Sequence, residues 1–247
     1  MAQCIFCASA ASSREHLWSD WINGILPKST YTFKKVDAVT KRERVWEDDE
    51  LNVKSKLTCI GCNTGWMSRV ENDDAKPSLG PLIRGTSARV IPIRLLISIG
   101  IFLFMKSVVA DHVGTGGDPF FTIEERYSFR NELSIPSGLS MWIGALEDSS
   151  RGTFKTLHVV PRAATENDFG LYIFTFVVGH LVLQLVGAKW ATHNLRTILP
   201  PKQRESDSDY MTWFWPITSS VRWPPPKYIP VSLLDNLTNR WKTYSIA

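Results

Sequence analysis

The chain has 247 residues, 44% of them hydrophobic and 21% charged, with 15 glycines and 14 prolines. That composition supplies a sizeable core and excludes a disordered tail, a collagen and a coiled coil. Basic residues outnumber acidic ones by 28 to 24, for a net charge of +4 and a pI near 8.9. Such a balance permits a phosphate-rich partner without requiring one.

In chain order, the first feature is the knuckle Cys4-Ile5-Phe6-Cys7. Its position so close to the start predicts that no export signal precedes it, and hence a cytoplasmic protein whose cysteines stay reduced. Arg14-Glu15-His16 follows. Leu17, Trp18, Trp21, Ile22 and Ile25 recur at helical spacing up to Pro27, which predicts a short helix. Tyr31 to Val36 and Arg44 to Glu47 read as strands around a turn at Asp37 to Lys41. This hairpin carries Lys34, Lys35, Lys41, Arg42 and Arg44, a solvated charged surface or a phosphate-binding one.

A second knuckle, Cys59-Ile60-Gly61-Cys62, comes 51 residues after the first and is followed at once by Asn63. Trp66, Met67 and Val70 then share one face of a helix running to about Ala75. The stretch Ala75 to Pro81 holds two prolines and predicts a boundary between residues 1–77 and 78–247. Beyond it, the apolar run Leu95 to Met105 is closed by Arg94 and Lys106. Its 11 residues fall short of the roughly 20 that cross a bilayer, so it predicts a buried helix near Ile91 to Ala110 and no membrane partner. Strands are expected at Ser140 to Ala145, Phe154 to Val160 and Leu171 to Val186, then a Trp- and Pro-rich segment from Trp213 to Pro230 and a final helix near Leu233 to Trp241. The fold class is α+β.

Two CxxC pairs in a reducing compartment read as one tetrahedral Cys4 zinc site formed by Cys4, Cys7, Cys59 and Cys62. A redox pair needs only one CxxC, and iron–sulfur clusters use other spacings. One metal shared by both knuckles brings Glu15-His16 near Asn63. A carboxylate and an amide oxygen converging there can hold magnesium or manganese. Adjacent side chains on an extended segment point to opposite sides, so Glu15 is expected to face the metal and His16 a water. Asn63 also suits a helix N-cap, and Glu71, two turns along, is either an auxiliary ligand or part of a solvated face. His112, His158, His180 and His193 have no nameable partner. Trp213, Trp215 and Trp223 suit packing better than base stacking.

Over Cys4-x2-Cys7, Glu15-His16, Cys59-x2-Cys62-Asn63, Gly65-Trp66-Met67-Ser68 and Glu71, the sequence resembles the HNH, or His-Me finger, endonucleases. The likeness is greatest to bacterial and phage members whose ββα-metal core is stapled by a Cys4 zinc, and it covers residues 4 to 77. Trp215-Pro216 and Arg222-Trp223-Pro224-Pro225 resemble C-terminal portions of standalone bacterial members. The resemblance implies a metal-dependent endonuclease acting on DNA, most simply double-stranded DNA. His16 would be the general base, Glu15 and Asn63 the ligands of a catalytic magnesium, and the four cysteines the holders of a structural zinc. Residues 78–247 would position substrate, and cutting both strands would favour a homodimer.

Three departures from the family pattern stand out. Glutamate precedes the histidine where aspartate or glycine is common. Asn63 stands where histidine is common. The middle asparagine of the family's three letters has only Asn52 as a candidate. The competing reading is a non-catalytic zinc ribbon that binds nucleic acid or a protein partner, for which Glu15-His16 would have no use.

Overall fold

Helix α2, Ile93–Gly114, is the element on which the other parts pack. Its apolar residues are not confined to one stripe. Leu96, Ile99, Phe102, Leu103, Phe104, Met105, Val108 and Val109 are all fully buried. A helix apolar all round has neighbours on several sides, and here they are an antiparallel sheet and the cysteine-bearing segment. The computed structural model describes residues 2–28, 30–36, 43–86, 88–114, 119–148, 152–159, 169–190 and 208–239. Within them α2 is long and apolar enough to cross a membrane by length and composition, and 67% of its most apolar stretch is buried inside the protein.

The N-terminal elements are β1 (Ser13–His16), a single 3-10 turn at Asp20–Ile22, β2 (Tyr31–Val36), β3 (Glu43–Asp48) and β4 (Lys54–Thr58). β1 pairs antiparallel with β4, and β2 with β3. The helix expected over Leu17 to Ile25 is reduced to that one turn. Leu17, Trp18 and Ile22 are nonetheless buried, so their spacing reflects packing into the core. The turn of the charged hairpin and the side chains of Lys34, Lys35, Lys41, Arg42 and Arg44 lie outside the described residues.

After β4 the chain runs through helical segments at Cys62–Met67 (kinked at Gly65), Val70–Ala75 and α1 (Lys76–Ile83), the first two with wide, π-type turns. The break expected at Ala75 to Pro81 is therefore helical. Pro77 stands in the first turn of α1 and Pro81 inside it, so neither proline ends the helical path. A single hydrophobic core runs across the boundary, taking in Phe6, Trp18 and Met67 with Phe102, Phe129 and Phe174. The mixed α+β class holds, and the described residues on both sides of position 77 share that core.

β5 (Arg89–Ile91) leads into α2, and α3 (Ile123–Glu132) follows it. The sequence reading passed over α3, although its start carries a capping box: Thr122 accepts from the Glu125 N–H, and Glu125 accepts from the Thr122 N–H. Next come β6 (Leu139–Ala145), β7 (Gly152–Val159), β8 (Phe169–Val178), β9 (Leu181–Trp190), β10 (Met211–Trp215), β11 (Val221–Trp223) and α4 (Val231–Asn239). Strands β10-β6-β9-β8-β7 form one antiparallel sheet, while β11 pairs with β5.

Both faces of the larger sheet are covered. Met141, Ile143, Phe174, Leu183 and Leu185 belong to the core around α2. The alternate residues Trp142, Ile173, Val182 and Val186 belong to a second cluster with Leu237 of α4. Two-sided burial makes the strands continuously apolar, which is why Leu171 to Val186 reads as one strand. It is two, joined at Gly179-His180. Gly179 has φ +55°, and a Cβ there would stand 2.4 Å from the Ile83 carbonyl oxygen, which also accepts the His180 N–H at 3.0 Å. Gly179→Ala is therefore expected to lower stability by about 1–3 kcal/mol, combining left-handed strain with loss of the contact to α1. A denaturant titration of the variant against the parent checks this.

Candidate active site and metal centre

The four cysteines converge. Their sulfur atoms all lie within 4.8 Å of one another, with Cys7 Sγ 3.6 Å from Cys59 Sγ and 3.7 Å from Cys62 Sγ. Metal–sulfur bonds of about 2.3 Å give a tetrahedron whose edges are about 3.8 Å, so the donors fit a four-coordinate thiolate site. Each knuckle is shaped by its own backbone. The Cys7 N–H donates to the Cys4 carbonyl at 3.3 Å, and the Cys62 N–H to Cys59 Sγ at 3.3 Å.

The site is also clamped from outside. Ile5, between the first two cysteines, donates its N–H to the Leu57 carbonyl at 2.9 Å and accepts from Arg126 Nη1 at 2.6 Å. Phe6 packs edge-on against Trp66, with ring centroids 5.0 Å apart, and Trp66 against Phe129 at 5.6 Å. The thiols differ in acidity. Burial pushes Cys62 up to about 12, whereas at Cys7 hydrogen bonds from Ser9 overcome burial and bring it to about 6.

β1 leaves this centre with its two faces clearly divided. Glu15 is buried, at 2% exposure, while Arg14 is exposed and the His16 side chain keeps 25%. In the pairing with β4, His16 stands opposite Lys54 and Glu15 opposite Ser55. The outer face of the pair thus carries Arg14, His16, Lys54 and Lys56, three of them exposed cations. His16 Nε2 is buried, makes no hydrogen bond, and lies 3.9 Å from Asp20 Oδ1. Burial first, then the charges of Lys54 and Lys106, hold the imidazole below its usual pKa and keep it neutral.

The inner face meets α2. Lys106 Nζ donates to Glu15 Oε1 at 2.7 Å and to the His16 carbonyl oxygen at 2.7 Å, and it also pairs with the Glu71 carboxylate. Lys106 is fully buried, and burial alone would favour its neutral form. Glu15 and Glu71 overcome that and hold its pKa above the usual lysine value. One ammonium does not neutralise two carboxylates in a dry site. Accordingly burial, with Glu71 alongside and against the pull of Lys106, raises the Glu15 pKa.

Asn63 comes to β1 as the knuckle spacing predicts, donating from Nδ2 to Ser13 Oγ at 2.6 Å and to the Arg14 carbonyl at 3.1 Å. The structure therefore brings the four cysteines together and Asn63 against Ser13 and Arg14 of β1. It does not leave Glu15 and Asn63 as an open oxygen pair. Magnesium keeps several of its waters when it binds, and a hydrated ion does not fit against a carboxylate that is 2% exposed and already holds an ammonium.

Two members of the cluster were undervalued or missed in the sequence. Glu71 points inward, not into solvent, and the signal available for it was its spacing from Asn63. Lys106 read only as the end of an apolar run, and no local pattern marks its partner 91 positions away. Among the other candidates, Asn52 is exposed. His112 and His180 bond through Nδ1 to the Val108 and Leu146 carbonyls. His193 and the side chain of His158 lie outside the described residues. Trp223 is buried and donates to the Gly144 carbonyl, Trp215 packs on the core, and Trp213 is 38% exposed. Searches of family models, curated proteins and solved structures find no match to this chain.

A metal on the four cysteines would join both knuckles to β4 and the following helix, so the parent is expected to bind one ion per chain and Cys62→Ala none. Chelation is expected to remove the parent's cooperative melting transition, since metal-binding free energy at such sites is folding free energy. Elemental analysis and calorimetry read the two effects.

Proposed function

We propose that the chain is an endonuclease of the ββα kind that hydrolyses phosphodiester bonds in DNA, with His16 as general base and a structural zinc on the four cysteines. One observation carries this reading. A neutral, part-buried histidine stands at the end of β1 beside the exposed cations Arg14, Lys54 and Lys56, on a strand pair that runs from the cysteine cluster. The imidazole takes a proton from water as the water oxygen forms its bond to phosphorus. The bond from phosphorus to the leaving oxygen breaks, and that oxygen takes up a proton from solvent. Exposed cations beside the histidine meet the phosphate charge. Glu15, buried on the Lys106 ammonium, does not offer magnesium an open oxygen, so the histidine and the surface cations carry the step.

The pairing of Glu15 with Lys106 favours a second reading, a zinc-bearing module that binds nucleic acid or a protein partner without cutting. Plasmid cleavage by the zinc-loaded protein separates the two, run with magnesium, with manganese and with no added divalent ion. Cleavage is expected, and His16→Ala is expected to reduce it by roughly 100- to 10,000-fold. Binding that survives His16→Ala, with no cleavage by the parent under any condition, would establish the second reading.

The acid limb of the pH–rate profile supplies a further check. A base whose pKa is depressed stays unprotonated to lower pH, so the limb is expected below the ordinary histidine value of about 6.5. Lys54→Ala removes one depressing charge and is expected to move the limb upward.

A further inference from the structure

The cluster behind β1 has the composition of a cation site. Two carboxylates and a backbone carbonyl, from Glu15, Glu71 and His16, converge from β1 and the helix that follows the second knuckle. Oxygens of that type and charge are the donors that hard divalent ions take. At their centre stands the Lys106 ammonium, delivered by α2 and fully buried. An ammonium has three N–H donors, and three oxygen partners surround it, so the set is filled.

Resting on the reading of His16 as general base, we propose that Lys106 is the resident cation of this site. It gathers Glu15, Glu71 and the end of β1 as a divalent ion would, and thereby positions the histidine without one. Lys106 is a positioning residue. Buried, with its three donors engaged, it does not reach a phosphate, and the substrate charge falls to Arg14 and Lys54 on the opposite face of the β1–β4 pair. Its action on His16 runs through the carbonyl it holds at 2.7 Å and through the neighbouring Glu15. A further consequence concerns the chain's organisation: the site is completed from α2, beyond the first 77 residues.

The test is manganese binding, followed by electron paramagnetic resonance on the full-length, zinc-loaded protein. The parent is expected to show no manganese site that Glu15→Gln removes. Lys106→Ala vacates the centre of the oxygen set and is expected to gain one manganese per chain, lost again when Glu15→Gln is added. Manganese in the parent that disappears in Glu15→Gln would overturn the proposal, and that comparison needs no substitution at Lys106. So would a folded Lys106→Ala protein, as judged by its zinc content and melting transition, that gains no manganese.

Cleavage gives a second readout. The parent is expected to cut equally well with and without added magnesium. Lys106→Ala without divalent ion is expected to be slower by roughly 100-fold, the scale of a 1 Å misplacement, and to recover with manganese. A parent that cuts only with added magnesium would overturn the proposal. Absence of cleavage under every condition would sink the endonuclease reading instead, leaving the manganese titration to decide the role of Lys106.

Discussion

A single buried ammonium constrains this structure more than any other group. Lys106 lies on the most apolar helix of the chain, where an unpaired charge would be severely unfavourable. Among the described residues its oxygen partners are Glu15, Glu71 and the His16 carbonyl, all on the cysteine-bearing segment. Breaking a buried pair of this kind typically costs about 3–5 kcal/mol, because the remaining partner is left charged and unsolvated. The helix and the β1–β4 pair are therefore tied to one relative placement. Phe129 and Arg126 of α3 reinforce it, the first through Phe6 and Trp66 and the second through the Ile5 carbonyl.

β1 is consequently held at both ends by different chemistry. Near its start, Asn63 holds the backbone around Ser13 and Arg14 from the helix that begins at the second knuckle. At its end, Lys106 holds Glu15 and the His16 carbonyl. A four-residue strand fixed in this way has little freedom, and its alternation does the rest. The inward residue is committed to the buried cluster, and the outward one is presented beside Lys54 at the surface. Holding a reactive side chain through its backbone neighbours, so that its ring stays available, is how preorganised sites are generally built.

Much of this was legible locally. The paired CxxC spacing identifies the four cysteines that come together with the geometry a tetrahedral thiolate site needs. The nearness of Asn63 and Glu15-His16 to that site follows from their positions next to the knuckles. The strand at Ser140 to Ala145 and the buried helix around Leu95 to Met105 follow from runs of apolar residues. Other features were present but open to misreading. The apolar spacing over Leu17 to Ile25 marks burial, and burial does not require a helix. The prolines at Pro77 and Pro81 suggest a break, yet Pro77 stands in the first turn of α1 and Pro81 is carried inside it. Two-sided burial of the sheet erased the alternation that would have separated β8 from β9, leaving Gly179 as the one local marker of the turn.

The sequence by itself determined the gathering of the four cysteines and the α+β class, because each depends on residue type and short spacing. Only the tertiary structure decided what Glu15 faces. An alternating strand dictates that Glu15 and His16 point in opposite directions, but not what waits on either side. That was settled by a lysine 91 positions away, on a helix whose surroundings are mostly apolar. A charge in such surroundings has to find its counter-charges wherever the fold brings them.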